Sequence, residues 1–266
     1  MKLFFREYGS KGPTLVIIHG LYGASDNWVS IARQLEKNYH VYLIDQRNHG
    51  QSPKDASHTY ADMAADLLEF FTAHNIEKAH VAGHSMGGKT AMHFALTHPQ
   101  LIDKLVVLDI APKSYASFSN YAQITNNHLQ IIQAMMQVDF EQVKSRQTVD
   151  AQLARQLPEK QLRQFLLKNV ERKIDGTYNW RLNLSAIHAN LEKIMDGLSE
   201  DNHQPVTIPT VFIRGEESGY VMDEDMLLAR KLFPGSELVT IPKAGHWLHA
   251  QQPELLIKTL NYFLLD

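Results

Sequence analysis

Cysteine is absent from the 266 residues. That excludes disulfides, cysteine-ligated zinc, iron–sulfur clusters and a cysteine nucleophile. It leaves the compartment open, because a chain without thiols is indifferent to redox poise. Long apolar runs are missing too. A membrane-crossing helix needs ~20 apolar residues, and no stretch approaches that length. The opening Met1-Lys2-Leu3-Phe4-Phe5-Arg6-Glu7 closes its apolar patch at once with charges, whereas a secretory leader needs a core of ~7–15 apolar residues. Basic residues are not in excess: 26 Lys and Arg stand against 29 Asp and Glu, for a net charge of −3. A duplex nucleic-acid binder or a polybasic membrane clamp would carry the opposite balance. Internal repeats, low-complexity tracts and an H-E-x-x-H metal motif are also lacking. His246-x-x-His249 supplies two imidazoles, too few for a zinc site. The expectation is a cytoplasmic protein without a metal site, whose partner is neither nucleic acid nor membrane.

What is present is a globular composition, 44% hydrophobic and 21% charged, which argues against disorder. At ~100–200 residues per domain, this length suits one large domain or one domain with a substantial insertion. Six short runs read as strands: Leu15–Ile18, Val41–Ile44, His80–Ala82, Leu105–Leu108, Val211–Ile213 and Glu237–Ile241. Helical spacing links Trp28, Ile31, Ala32 and Leu35, with Ser25 or Asp26 as the N-cap. It also links Tyr60, Met63, Ala64, Leu67, Leu68 and Phe71, and then Ala91, Phe94, Ala95 and Leu96 before the stop at His98-Pro99. A last helix is predicted from Pro253 to about Leu265. Strands alternating with helices imply an α/β fold with a mostly parallel sheet flanked by helices on both faces. In such sheets ligands bind beyond the carboxyl ends of the strands, where Gly20, Asp45, Ser85, Asp109 and Gly215 are expected.

One stretch breaks the alternation. Between about Pro112 and Pro209 no convincing strand is found, and Leu129–Ile132, Phe165–Leu167 and Leu184–Ile187 carry helical periodicity. The stretch is too long for a loop. Residues 112–209 are therefore expected to form a helical cap, inserted above the strand ends of a core made of residues 1–111 and 210–266.

Gly83-His84-Ser85-Met86-Gly87 matches G-x-S-x-G, with a predicted strand before it and a predicted helix after it. A serine on so sharp a turn has strained backbone angles, and its neighbours must be small for strand and helix to approach. Its hydroxyl then stands exposed at a helix N-terminus, whose dipole favours developing negative charge. Such a hydroxyl needs a base. On this kind of elbow the partners follow in the order Ser…Asp/Glu…His, so the base is His246, in Ala244-Gly245-His246-Trp247 after the last predicted strand. His249 is the weaker choice. An oxyanion hole needs two converging N–H groups. Met86 supplies one, and Leu21 in the loop after the first predicted strand supplies the other. Gly20 lets the backbone approach the carbonyl. His19 and His84 flank this place as wall residues, and most other histidines read as surface or packing residues.

These segments resemble the α/β-hydrolase superfamily over essentially the whole chain, and more closely the YbfF-type bacterial carboxylesterases. The likeness rests on His19-Gly20-Leu21-Tyr22-Gly23, the run from Asp45 to Pro53, the run from Gly83 to Met92, Asp109-Ile110-Ala111-Pro112, Tyr178–Leu184 and Ala244-Gly245-His246. The resemblance implies the α/β-hydrolase fold and a serine esterase. That enzyme would hydrolyse short or medium acyl esters, with acyl-CoA thioesters as a further class, through an acyl-enzyme intermediate and without a cofactor. It also implies a buttressing turn at Asp45, Arg47 and Ser52. Many relatives carry the acid three residues beyond the glycine of Arg214-Gly215, where this chain has Ser218. The resemblance therefore assigns Asp109 as the acid and Ser218 as an accessory hydrogen-bonding residue, with Glu216 and Glu217 as rivals. Two other readings stand beside the esterase. One is a cofactor-free carbon–carbon hydrolase, lyase or oxygenase on the same fold, and the other is a non-catalytic small-molecule receptor.

Overall fold

The computed structural model describes residues 1–116, 119–198 and 204–265. The chain runs β1 (Phe5–Tyr8), β2 (Thr14–Ile18), α1 (Val29–Leu35), β3 (His40–Ile44), α2 (Tyr60–Ala73), β4 (Ala79–His84), α3 (Met86–Thr97) and β5 (Ile102–Leu108). The insertion follows with α4 (Ala122–Met136), α5 (Arg146–Leu153), α6 (Lys160–Leu166), β6 (Val170–Arg172), β7 (Tyr178–Trp180), α7 (Leu184–Ala189) and α8 (Leu191–Met195). The chain then returns through β8 (Thr210–Gly215), α9 (Asp225–Leu232), β9 (Glu237–Ile241), α10 (Leu248–Gln251) and α11 (Pro253–Leu265).

Seven strands form one sheet in the order β1-β3-β2-β4-β5-β8-β9, and all its pairs are parallel except β1–β3. The period of two along each strand divides the core into two layers. Val16, Ile18, Val81, Leu105 and Val107 face the layer of α2 and α3, with Leu67, Phe71, Met92 and Phe94. Leu15, Ile17, Ala82, Val106 and Leu108 face α1 and α11, with Ile31, Leu35, Leu256 and Leu260. Burial on both faces is why these strands read as unbroken apolar runs rather than as alternation. All six expected runs lie in strands of this sheet, which is that of the expected α/β-hydrolase fold.

Three local expectations are corrected. Phe5–Tyr8 adds an antiparallel edge strand, which its mixed polar pattern did not announce. Ser25 and Asp26 do not cap α1: they lie inside a 3-10 turn over Ser25–Trp28, and α1 starts at Val29. The insertion is not free of strands, because β6 and β7 pair as a small antiparallel hairpin. Three residues per strand are too few for alternation to show. The turn carries the one readable signal, Asp175-Gly176, with the glycine at φ +87.

Side chains of the core grip the insertion at several points. Lys89, buried on α3, donates from Nζ to the carbonyls of Lys113 at 3.0 Å, Met195 at 3.4 Å and also Asp196. It thus ties the start of the insertion to the end of α8, and burial pulls its pKa down to about 7. Tyr60 Oη donates to Ile194 O at 2.5 Å, and Asn183 N to Asn48 O at 2.9 Å.

The Asp45–Ser52 turn braces the sheet edge. Asp45 accepts N–H bonds from Ser25 at 2.6 Å and Gln51 at 2.8 Å, while Ser52 Oγ donates to Asp45 O at 2.5 Å. Arg47 meets Asp66 of α2 through two bonds, Nε–Oδ2 at 2.6 Å and Nη2–Oδ1 at 2.9 Å, with both side chains buried. Without Arg47, Asp66 would keep only the N-terminal ammonium of Met1, 2.7 Å from its Oδ1, and the buried Arg47 bonds would be lost. Arg47→Met is expected to cost about 3–5 kcal/mol of stability in urea denaturation, and a loss below about 1 kcal/mol would contradict that role.

Candidate active site

Ser85 joins β4 to α3 at φ 53 and ψ −121, a conformation that non-glycine residues reach only under strain. The turn is held from both sides. Ser85 N donates to Leu108 O at 2.9 Å, and Ser85 O accepts from Gly88 N at 2.8 Å and Lys89 N at 3.1 Å. A Cβ on Gly87 would stand 2.4 Å from Ile18 O and 2.5 Å from His19 O, so α3 can lie this close to β2 only with glycine there. The same is true across the site. A Cβ on Gly20 would stand 2.8 Å from His84 Nδ1 and 3.0 Å from the Ser85 Cβ.

His246 follows β9 in the loop that returns over the strand ends. Its Nε2 lies 3.0 Å from Ser85 Oγ and its Nδ1 lies 2.7 Å from Asp109 Oδ2. Asp109 is fully buried at the end of β5, with φ 49. Its Oδ1 accepts the Gly215 N–H at 3.0 Å, and its Oδ2 also accepts the Ser218 hydroxyl. A carboxylate only accepts, so Nδ1 of His246 carries the proton and Nε2 turns a lone pair toward the serine. Glu216 spends its Oε2 on the Lys243 N–H at 3.0 Å, and both Glu216 and Glu217 are exposed. The acid beside His246 is thus Asp109, with Ser218 hydrogen-bonded to it.

His84 donates from Nε2 to His246 O at 2.7 Å and so holds the loop that carries the imidazole. Met86 opens α3, where the first N–H groups have no partner within the helix and the dipole is positive. Leu21, Ser85 and Met86 line one small recess.

The turn bearing Leu21 rests on buried histidines, of which the sequence placed His19 at the site as a wall residue but not His49 or His58. His19 donates from Nδ1 to Gly20 O at 2.8 Å and accepts the Gln46 N–H at 3.0 Å. His49 donates from Nδ1 to Arg47 O at 2.9 Å and accepts the Tyr22 N–H at 3.3 Å. His58 touches Met86 Sδ from Nε2 at 3.4 Å. Neutral imidazole offers one donor and one acceptor, which is what each position in the chain needs. For His49 the Arg47-Asn48-His49-Gly50 run was a usable signal. Tyr220 was missed as well: its ring lies 3.9 Å from that of His246 at 17°, covering the imidazole. Its place two residues beyond Ser218 was the only hint.

Ser85 and His246 open into a cavity of 350 Å³ lined by Leu21, Ile131, Leu157, Leu162, Phe165 and Trp247 among others. An apolar cavity ending at an activated hydroxyl can hold an acyl chain with its carbonyl at the recess. Among the described residues, no helix is long and apolar enough to cross a membrane, and no group of three side chains could hold a metal ion.

The α/β-hydrolase-fold family profile matches residues 13–253. The chain belongs to the α/β-hydrolase family. It is 36% identical over 272 residues to the sn-1-specific diacylglycerol lipase ABHD11 of Danio rerio, covering 99% of this chain and 83% of that protein. It is 35% identical over 256 residues to esterase YbfF of Escherichia coli, covering 95% and 93%. The solved structure of a marine microorganism esterase superposes with a TM-score of 0.94 at 47% identity, covering 98% of this chain and 99% of that one. With relatives of this coverage, the chain is a hydrolase of the esterase and lipase kind.

The buried histidines make stability depend on pH. Burial lowers the pKa of His58 and His249 to about 3 and that of the half-buried His128 of α4 to about 4, against an ordinary 6.5. As pH falls below ~6.5 the unfolded chain takes up these protons first, so stability is complete above that value and declines toward pH ~4. The melting temperature is expected to be level from pH 8 to 7 and to fall steadily from pH 6.5 to 4.5. A level profile throughout would contradict neutral burial.

Proposed function

We propose that this chain is a serine esterase that hydrolyses short or medium acyl esters through an acyl-enzyme on Ser85. The observation that carries the reading is the hydrogen-bonded chain from Ser85 Oγ through His246 to Asp109, opening onto an apolar cavity. His246 Nε2 takes the proton of Ser85 as Oγ attacks the ester carbonyl. The resulting oxyanion accepts N–H bonds from Leu21 and Met86. Asp109 offsets the imidazolium, which then protonates the departing alkoxide. Water repeats the sequence and frees the acid. Every proton is handled by residues of the chain, so the reaction needs no cofactor.

Residues 112–209 act in this reading as a cap on a core of residues 1–111 and 210–266. Ile131, Leu157, Leu162 and Phe165 come from the cap side of the cavity, so the cap selects the acyl chain. A volume of 350 Å³ is at the small end of the ~300–1,000 Å³ of small-molecule sites, which favours short and medium chains. That the relatives include an esterase and a diacylglycerol lipase supports an ester as the substrate. The same steps would cleave an acyl-CoA thioester, which is the second substrate class.

Ser85→Ala is expected to abolish hydrolysis across a panel of nitrophenyl esters and acyl-CoA thioesters while the protein stays folded, and a labelled fluorophosphonate should mark Ser85. An active Ser85→Ala variant, or label on another serine, would refute the mechanism. Asp109→Asn should lower kcat by ~10⁴-fold. Ser218→Ala should cost ~10-fold or less, the worth of a neutral hydrogen bond, because Asp109 keeps its bond from Gly215. Leu162→Trp should move the preferred acyl length downward on the same panel, and an unchanged length profile would place the chain elsewhere.

A further inference from the structure

His128 projects from α4 of the insertion onto the core site and makes two contacts there. Its Nε2 lies 3.1 Å from Tyr220 Oη, and its Nδ1 lies 3.3 Å from Tyr22 Oη. The Tyr22 hydroxyl also donates to the backbone carbonyl of His128 at 3.3 Å. One tautomer satisfies all of these. The Tyr22 proton goes to the carbonyl, so Nδ1–H donates to Tyr22 Oη, and Nε2 is left to accept the Tyr220 O–H. The rings of Tyr22 and His128 stand 5.7 Å apart at 39°.

Each tyrosine leads to a reacting group. Tyr220 stacks on His246 at 3.9 Å, and its carbonyl is pinned by Tyr115 Oη at 2.5 Å. Tyr22 is the residue after Leu21, at φ 61, and its N–H is held by His49 at 3.3 Å. The histidine shares its helix face with Ile131, Ile132 and Met135, where packing alone would ask for an apolar side chain. An imidazole with both nitrogens matched to tyrosine hydroxyls does more than fill that space.

We propose that His128 is a positioning residue for the hydrolytic step: it joins the cap to the His246 imidazole through Tyr220 and to the oxyanion turn through Tyr22. The site then reaches its working geometry only with the cap seated. This rests on the serine-esterase reading and adds to it, since it gives the cap a share in kcat as well as in substrate choice. The physical reason is tolerance. A base on a loop must hold its ring within ~0.5 Å and ~10–20°, and a misplacement of ~1 Å costs up to ~10²-fold in rate.

The test is steady-state hydrolysis of p-nitrophenyl butyrate, with melting temperatures, for four variants. His128→Phe keeps the ring and removes both bonds. His128→Gln places an amide where Nε2 stood. Tyr220→Phe keeps the stack on His246 and removes the hydroxyl. The fourth is the His128→Phe/Tyr220→Phe double variant. We expect kcat to drop ~10- to 100-fold in His128→Phe with KM within ~3-fold of native. Tyr220→Phe should show part of that loss, His128→Gln should recover much of it, and the double variant should be no worse than His128→Phe. The proposal is overturned by a His128→Phe kcat within ~2-fold of native, by a change confined to KM, or by losses that multiply in the double variant. If His128→Phe does not fold, Tyr220→Phe decides, and a native kcat there overturns the proposal. A native enzyme that cleaves the ester and is labelled at Ser85, with His128→Phe equal to it, sinks this inference alone. A native enzyme without ester hydrolysis sinks the serine-esterase reading beneath it.

Discussion

The backbone of Ser85 is the constraint on which the rest turns. Holding a non-glycine residue at φ 53 and ψ −121 costs on the order of 1–3 kcal/mol. The cost is offset by what surrounds it: β4 buried on both faces, α3 laid against β2 across Gly87, and three backbone hydrogen bonds on the turn itself. In return the hydroxyl is thrust above the sheet, at the start of α3 where the helix dipole is positive. Any relaxation of that turn would move the hydroxyl, the start of α3 and the imidazole distance together.

Around this turn the protein uses neutral imidazole as structural material. His19, His49, His58, His84, His128 and His249 all have pKa values lowered, with burial the leading cause in each. Most of them face a group that needs a donor on one side and an acceptor on the other. A lysine or carboxylate in these places would bring an unpaired charge into the core. Imidazole supplies both hydrogen bonds without charge and fixes direction as well, because its two nitrogens diverge rigidly. His246 differs from them in bearing Asp109 on Nδ1.

The insertion is bound to the core through polar contacts as much as through apolar packing. Lys89 clamps its start to the end of α8, Tyr60 reaches Ile194, and Asn169 Nδ2 donates to Tyr22 O at 2.8 Å. The last of these falls on the residue after Leu21, so both α4 and the turn before β6 touch the same short segment. Contacts of this kind have defined directions, and they register the insertion on the strand ends more tightly than a greasy surface would.

The sequence by itself determined the sheet's central strands, the elbow serine and the late histidine. Buried parallel strands must be apolar runs, and a strand-to-helix turn at Ser85 demands glycines at fixed spacing, so local chemistry writes both into the chain. The β6–β7 hairpin and the edge strand β1 escaped because three or four residues carry too little periodicity. Asp109 was named as the acid for His246 by resemblance alone, with Glu216 and Glu217 as rivals on charge. Only the fold decided among them, by ending β5 beside β8 and turning Glu216 outward to Lys243. The positions of Tyr220 and His128 were likewise beyond reach. Tyr220 and His128 lie 92 residues apart in the chain yet touch. No local pattern encodes a contact that exists only because the insertion folds back over the strand ends.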